Sequence, residues 1–189
     1  MKQSLKASYK GCYEIFQYYW NTYGGWKELL SSPYLHMAFL LLSLTHHEWM
    51  SRDWWSQSLS ILPNLLGFSL GGFAIFLGLG DEQFRAILAE RDDGNKNSAY
   101  TFVSATFVHF ILVQALGIVS ALLAKSLAYK PSWLADSYMS YFSIVTPIFW
   151  GIGYLFLLYS ITSMIAVVMA IFRCTRWYET YQESHSKDE

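Results

Sequence analysis

Five histidines, two cysteines and 14 carboxylates are the groups with which this chain could do chemistry, and its spacing gathers few of them. His46, His47 and Glu48 are consecutive. Neighbouring residues on a helix point about 100° apart, so the triplet reads as a polar interfacial cap and not as a chelating site. His36, His109 and Gln114 are different, because each sits inside an apolar run. A polar side chain within a membrane span is costly unless a neighbour satisfies it, and such residues turn toward the protein interior. Two readings follow for the pair of histidines. Either His36 and His109 lie at similar depth on adjacent helices and share a polar site, or each bonds a neighbouring helix's backbone. Gln114, Asn64 and Thr146 fall in the same class of polar groups that tie helices together.

The motifs that announce catalysis are missing. The chain has no GxxxxGK[ST], GxGxxG, HExxH, GxSxG or paired CxxC. Its carboxylates and histidines occur singly near the apolar runs, so no catalytic residue, cofactor or metal is expected.

The elements that position these side chains are membrane spans. Only 14% of residues are charged and 53% are hydrophobic, whereas a soluble domain carries about 25% charge. Residues 58–80 organise the rest. This stretch is uncharged and 23 residues long, enough to cross a ~30 Å hydrocarbon core. Ser60, Asn64, Gly67, Gly71, Ala74 and Gly78 recur along it at steps of 4, 3, 4, 3 and 4. That period puts six small or polar residues on one helical face, with a GxxxG step at its centre. Small residues let helix backbones approach closely in lipid. The face is therefore expected to pack against another helix, in this chain or in a second copy. Pro63 is expected in the first turns of this helix, where proline is tolerated.

Three further spans are expected, at residues 29–45, 101–128 and 148–172. Gly117, Ala121 and Ala124 offer a second small face in the third span. Residues 138–172 carry no charge, but ~52 Å is too long for a simple span, so Pro147, Gly151 and Gly153 are read as a kink. Before the first span, Leu5, Tyr9, Cys12, Phe16, Tyr19 and Tyr23 form an apolar and aromatic stripe at helical spacing. Residues 1–25 are read as an amphipathic interfacial helix stopped by Gly24 and Gly25. Without a continuous apolar core in the first 30 residues, a cleavable signal peptide is not expected. Tryptophans around residues 46–55 suit an interface. Residues 81–99 are read as a short helix, capped by Asp81, and a loop. Residues 173–189 are read as a polar tail.

The result is an all-α integral membrane protein: one polytopic domain of four transmembrane helices, an N-terminal amphipathic helix and a cytoplasmic helix between spans two and three. Ten of the 13 Lys and Arg residues fall before the first span, between spans two and three, or after the fourth. The exceptions are Arg52, Lys125 and Lys130. Positive residues concentrate on the cytoplasmic side, so both termini are expected there. Cys12 and Cys174 then face a reducing compartment as free thiols.

A net charge of −1 gives no footprint for nucleic acid. The expected function is a non-enzymatic sensor, anchor or scaffold in a bacterial inner membrane, in a setting such as stress response or phage defence. Its expected partners are the lipid bilayer, further copies of itself and a cytoplasmic protein. The alternative is a small oligomeric ion channel or pore-forming effector, against which stands the lack of a charged ring or filter-like sequence.

Overall fold

A computed structural model describes residues 2–51, 53–91, 97–128 and 136–186. Among these residues every regular element is a helix. The order is α1 (Lys2–Tyr23), α2 (Gly25–Ser31), α3 (Pro33–Leu44), α4 (His46–Ser51), α5 (Trp54–Leu77), α6 (Glu82–Ala89), α7 (Ala99–Leu127) and α8 (Asp136–His185).

Among the described residues three helices are long and apolar enough to cross a membrane: Trp54–Leu77, Ala99–Leu127 and the Val145–Ser184 part of α8. The segment expected as a first span behaves otherwise. The backbone is extended at Ser32 (φ −65°, ψ 120°), and Pro33 opens a new helix of 12 residues. A residue before proline is driven away from helical angles. At about 18 Å, α3 alone is shorter than the ~30 Å hydrocarbon core.

Side-chain pairs set the register of the long helices. Leu62 lies against Gly117, Gln114 bonds Ser69, and the Phe76 ring packs on Tyr100, so α5 and α7 are antiparallel. Trp54 lies against Gly153 and Gly72 against Ile171, so α5 and α8 are parallel. The core divides along this axis. One cluster gathers Trp54, Leu62, Ala121 and Leu157. The other holds Phe76, Phe107, Phe110, Val167 and Cys174.

Several local expectations change. Pro63 is well inside α5, since that helix begins at Trp54. It cannot donate to the Leu59 carbonyl, and the Asn64 side-chain amide donates to the adjacent Ser60 carbonyl at 2.9 Å. Helix α8 runs unbroken through Pro147, Gly151 and Gly153, and continues through the segment read as a tail to His185. The two glycines are slots for tryptophan: Trp49 rests on Gly151 and Trp54 on Gly153. Trp54 is accordingly buried, and Trp55 is buried against Trp54 and Trp150.

Asp81 caps α6 by accepting the Phe84 N–H at 2.8 Å. Gly80, at φ +74°, makes the left-handed bend that leads into it. Phe84 then packs on Tyr178 and Tyr181, and the Tyr181 hydroxyl donates to Gln83 at 3.1 Å. The C-terminal turns of α8 are thus the platform that holds α6. Residues 92–96 of the loop that follows lie outside the described residues. Gly24 and Gly25 take positive φ where α1 gives way to α2. Both cysteines are free, Cys12 exposed and Cys174 buried.

Candidate functional site: an aromatic cage around His109

Helix α7 places His109 in the middle of the bundle, where it is 4% exposed. Its Nδ1 lies 2.8 Å from the Tyr19 hydroxyl and its Nε2 lies 3.0 Å from the Tyr159 hydroxyl. The Tyr23 ring stacks on the imidazole, with centroids 4.0 Å apart and planes 13° from parallel. A neutral imidazole donates from one nitrogen and accepts at the other. One tyrosine therefore receives a hydrogen bond and the other gives one, and both ring nitrogens are satisfied. Three helices meet here: α1 through Tyr19 and Tyr23, α7 through His109, and α8 through Tyr159. Nearby, the Thr162 hydroxyl donates to the Tyr34 carbonyl at 2.9 Å, fastening the start of α3 to α8. The arrangement fixes the end of α1 to the bundle.

His36 is not part of it. It is exposed, and its Nε2 bonds the Leu30 carbonyl at 2.8 Å, across the break at Ser32. No hydrogen bond or ring contact joins it to His109 among the described residues. Gln114 is buried and donates to Ser69 Oγ at 2.9 Å, tying α7 to α5; its Oε1 has no partner among the described residues. Asn64 is exposed and its amide bonds the Ser60 carbonyl of its own helix, while Thr146 is half-buried, with no bond to another helix shown among the described residues. No group of three or more His, Cys, Asp or Glu able to hold a metal occurs among the described residues.

The six-residue face of α5 points out of the chain. Ser60, Asn64, Gly67, Gly71, Ala74 and Gly78 are all exposed. A Cβ added at Gly67 or Gly71 meets nothing within 4 Å. The helix packs inward by another stripe, made by Ser58, Leu62, Ser69, Gly72 and Phe76. The small face of α7 does close on a neighbour: Gly117, Ala121 and Ala124 are buried, and Leu62 occupies the groove at Gly117.

The chain matches no protein-family model, no curated protein and no solved structure.

Sequence spacing singled out His109 and missed its partners. Tyr19 and Tyr23 belong to the N-terminal stripe, whose Tyr9, Cys12 and Phe16 remain exposed. Tyr159 lies at the centre of the last apolar run, far from the headgroup level where tyrosine is enriched. That depth was the available signal for an internal partner.

The two tyrosines should differ on mutation. Tyr159→Phe removes the partner of a buried ring nitrogen and should destabilise the protein by ~1–3 kcal/mol. Tyr19→Phe should cost less, because Tyr19 is only part-buried. It should instead loosen α1, seen as faster hydrogen exchange confined to residues 12–23. Equal effects on global unfolding would show that the cage does not discriminate the two sides of the ring.

Proposed function

We propose that the protein is a non-enzymatic membrane scaffold or sensor that self-associates through α5 and engages a cytoplasmic protein through its N-terminal arm. The observation that carries this reading is the outward face from Ser60 to Gly78. A hydrocarbon environment gives no reason to align small and polar residues on an exposed stripe, whereas a second helix does. Closed symmetric assembly repeats such a face on every copy. The arm reading draws support from α1. Among the described residues its stripe meets the bundle at Tyr19 and Tyr23, and its earlier turns expose Tyr9, Tyr13 and Phe16.

In this reading the chain crosses a bacterial inner membrane four times with both termini cytoplasmic. Helix α3 completes the first crossing with the end of α1, since Tyr19 and Tyr23 reach the mid-bundle level of His109 and α3 continues from the level of Thr162. Two short helices joined by a break can cross where neighbours cover the open backbone. A stress or phage-defence complex is the kind of setting such a subunit fits. The channel alternative rests on Ser60 and Asn64, which would line the axis of an oligomer. Within one chain, Leu62, Phe107 and Leu157 fill the interior.

Topology and assembly test the reading together. Reporter fusions at Glu189 and within residues 92–98 are expected on the cytoplasmic side, and fusions near residues 52 and 130 on the other. The protein extracted in mild detergent is expected as an oligomer with a soluble protein attached. A middle loop on the outer side refutes the four-crossing arrangement. Ion flux from purified protein alone favours the channel.

A further inference from the structure

We propose that the cleft between α2, α7 and α8 is a water-filled vestibule that opens on the cytoplasmic side and hydrates the Glu28 carboxylate at mid-membrane depth. The proposal rests on the four-crossing arrangement, in which α8 gives the scale of depth. Arg173 ends the uncharged run of residues 138–172, and the Trp54 slot at Gly153 lies 20 residues before it. The two marks are about 30 Å apart along the helix, the thickness of a hydrocarbon core. Tyr159 lies between them, about 21 Å from Arg173.

Helix α2 is held near that depth at both ends. Before it, Tyr23 stacks on His109, which bonds Tyr159. After it, the Tyr34 carbonyl accepts from the Thr162 hydroxyl. Glu28 stays close to the first of these anchors. A Cβ at Gly24 would lie 2.8 Å from Glu28 Cβ and 3.7 Å from its Oε2. Glu28 joins no ion pair among the described residues, with the adjacent Lys27 or any other cation. The chain therefore carries an unpaired carboxylate near the middle of the bilayer.

A charge at that depth is costly unless it is paired or faces a water-filled cavity. The helix break at Ser32 makes the same demand, because irregular backbone in a membrane persists only where protein covers it or water reaches it. Glu28 and Ser32 line one cleft. Its volume of about 260 Å³ has room for several waters. Hydroxyls stand along it: Tyr159 and Ser32 at the deep end, and Thr106 one turn from His109 on α7. The Thr106 hydroxyl donates to the Phe102 carbonyl at 3.0 Å, and its oxygen still has lone pairs to accept from water. The other end of the cleft is at Arg173, an exposed cation at the membrane edge. Water that fills the deep end meets Tyr23 and Tyr159, the residues that grip His109.

Cysteine modification of the full chain in inverted and right-side-out membrane vesicles tests this, in a Cys12→Ser, Cys174→Ala background. Thr106→Cys and Ala166→Cys place single thiols on the cleft wall. Val168→Cys places one on the outward side of α8 near the depth of Ala166, at a residue 47% exposed. A charged thiosulfonate reacts with the thiolate, which forms where water reaches. From the cytoplasmic side it should modify both wall positions about ten-fold faster than Val168→Cys, since the rate follows thiolate fraction and access. Glu28→Leu should slow both about ten-fold, because a cavity left without its charge stays dry. Equal rates at all three positions, or modification by a lipophilic maleimide alone, overturns the vestibule. Unchanged rates in Glu28→Leu overturn the role given to Glu28. Glu90→Cys, exposed at the end of α6, reports topology in the same vesicles. Its modification from the cytoplasmic side with both wall positions silent refutes the vestibule alone, and its modification only from the outer side refutes the four-crossing arrangement.

Discussion

Gly71→Leu is expected to leave the chain folded and abolish its self-association, while Gly72→Leu, one residue further on, is expected to disrupt the fold. The difference comes from a rotation of about 100° around one helix. A Cβ at Gly71 meets nothing within 4 Å of its own chain. At Gly72 it lies 3.4 Å from Ile171 Cδ1 and 3.5 Å from Phe107 Cε1. An alanine fits there, but the remaining atoms of a leucine do not. Overpacking a closed contact costs ~1–3 kcal/mol, and at Gly72 that cost falls on the α5–α7–α8 core. At Gly71 the same steric cost falls wherever a partner helix approaches. It recurs at each copy of a symmetric interface, and every ~1.4 kcal/mol lowers association ten-fold. Crosslinking and native mass should therefore show monomer for Gly71→Leu, with melting of the monomer unchanged. An intact oligomer in this variant would mean that the face meets lipid.

The period of residues 60–78 made this face legible, because small residues at steps of three and four define a stripe in any helix. What the period could not assign was the partner. The inward stripe through Ser58, Leu62, Ser69, Gly72 and Phe76 has the same periodicity and a mixed composition, so only packing distinguishes the two. Gln114 and His109 were legible as interior groups for an energetic reason: lipid does not solvate them. His36 met the same criterion, yet it is exposed and satisfies itself on the Leu30 carbonyl of the adjacent turn. The first span failed as one helix because hydropathy ignores backbone angles, although the residue before Pro33 carried the signal for a break. The tryptophans of residues 46–55 fitted an interfacial belt by composition. The seats of Trp49 and Trp54 depend on glycines about a hundred positions away, a pairing that no local pattern reveals.

That pairing leads to the second large effect, at Gly153. A Cβ built there overlaps the six-membered ring of Trp54. The ring has little freedom to move, since Trp54 is 2% exposed and packs edge-on against Trp55 and Tyr154. Even the smallest substitution, Gly153→Ala, must therefore push α5 away from α8 or force the indole off its rotamer, at ~1–3 kcal/mol. Gly151 is the control. A Cβ there lies 3.5 Å from the Trp49 ring, an ordinary contact, and Gly151→Ala should be tolerated. It also replaces a flexible residue by a good helix former inside α8, which favours the folded helix by up to ~1 kcal/mol. The two variants should thus shift thermal unfolding in opposite directions, though both are Gly→Ala on one helix two residues apart. If the Trp54 ring is the cause at Gly153, Trp54→Phe should restore part of the loss in the double mutant, because the smaller ring vacates the space the methyl enters. Equal melting of Gly151→Ala and Gly153→Ala, or no rescue by Trp54→Phe, would show that α8 does not hold α5 through this slot.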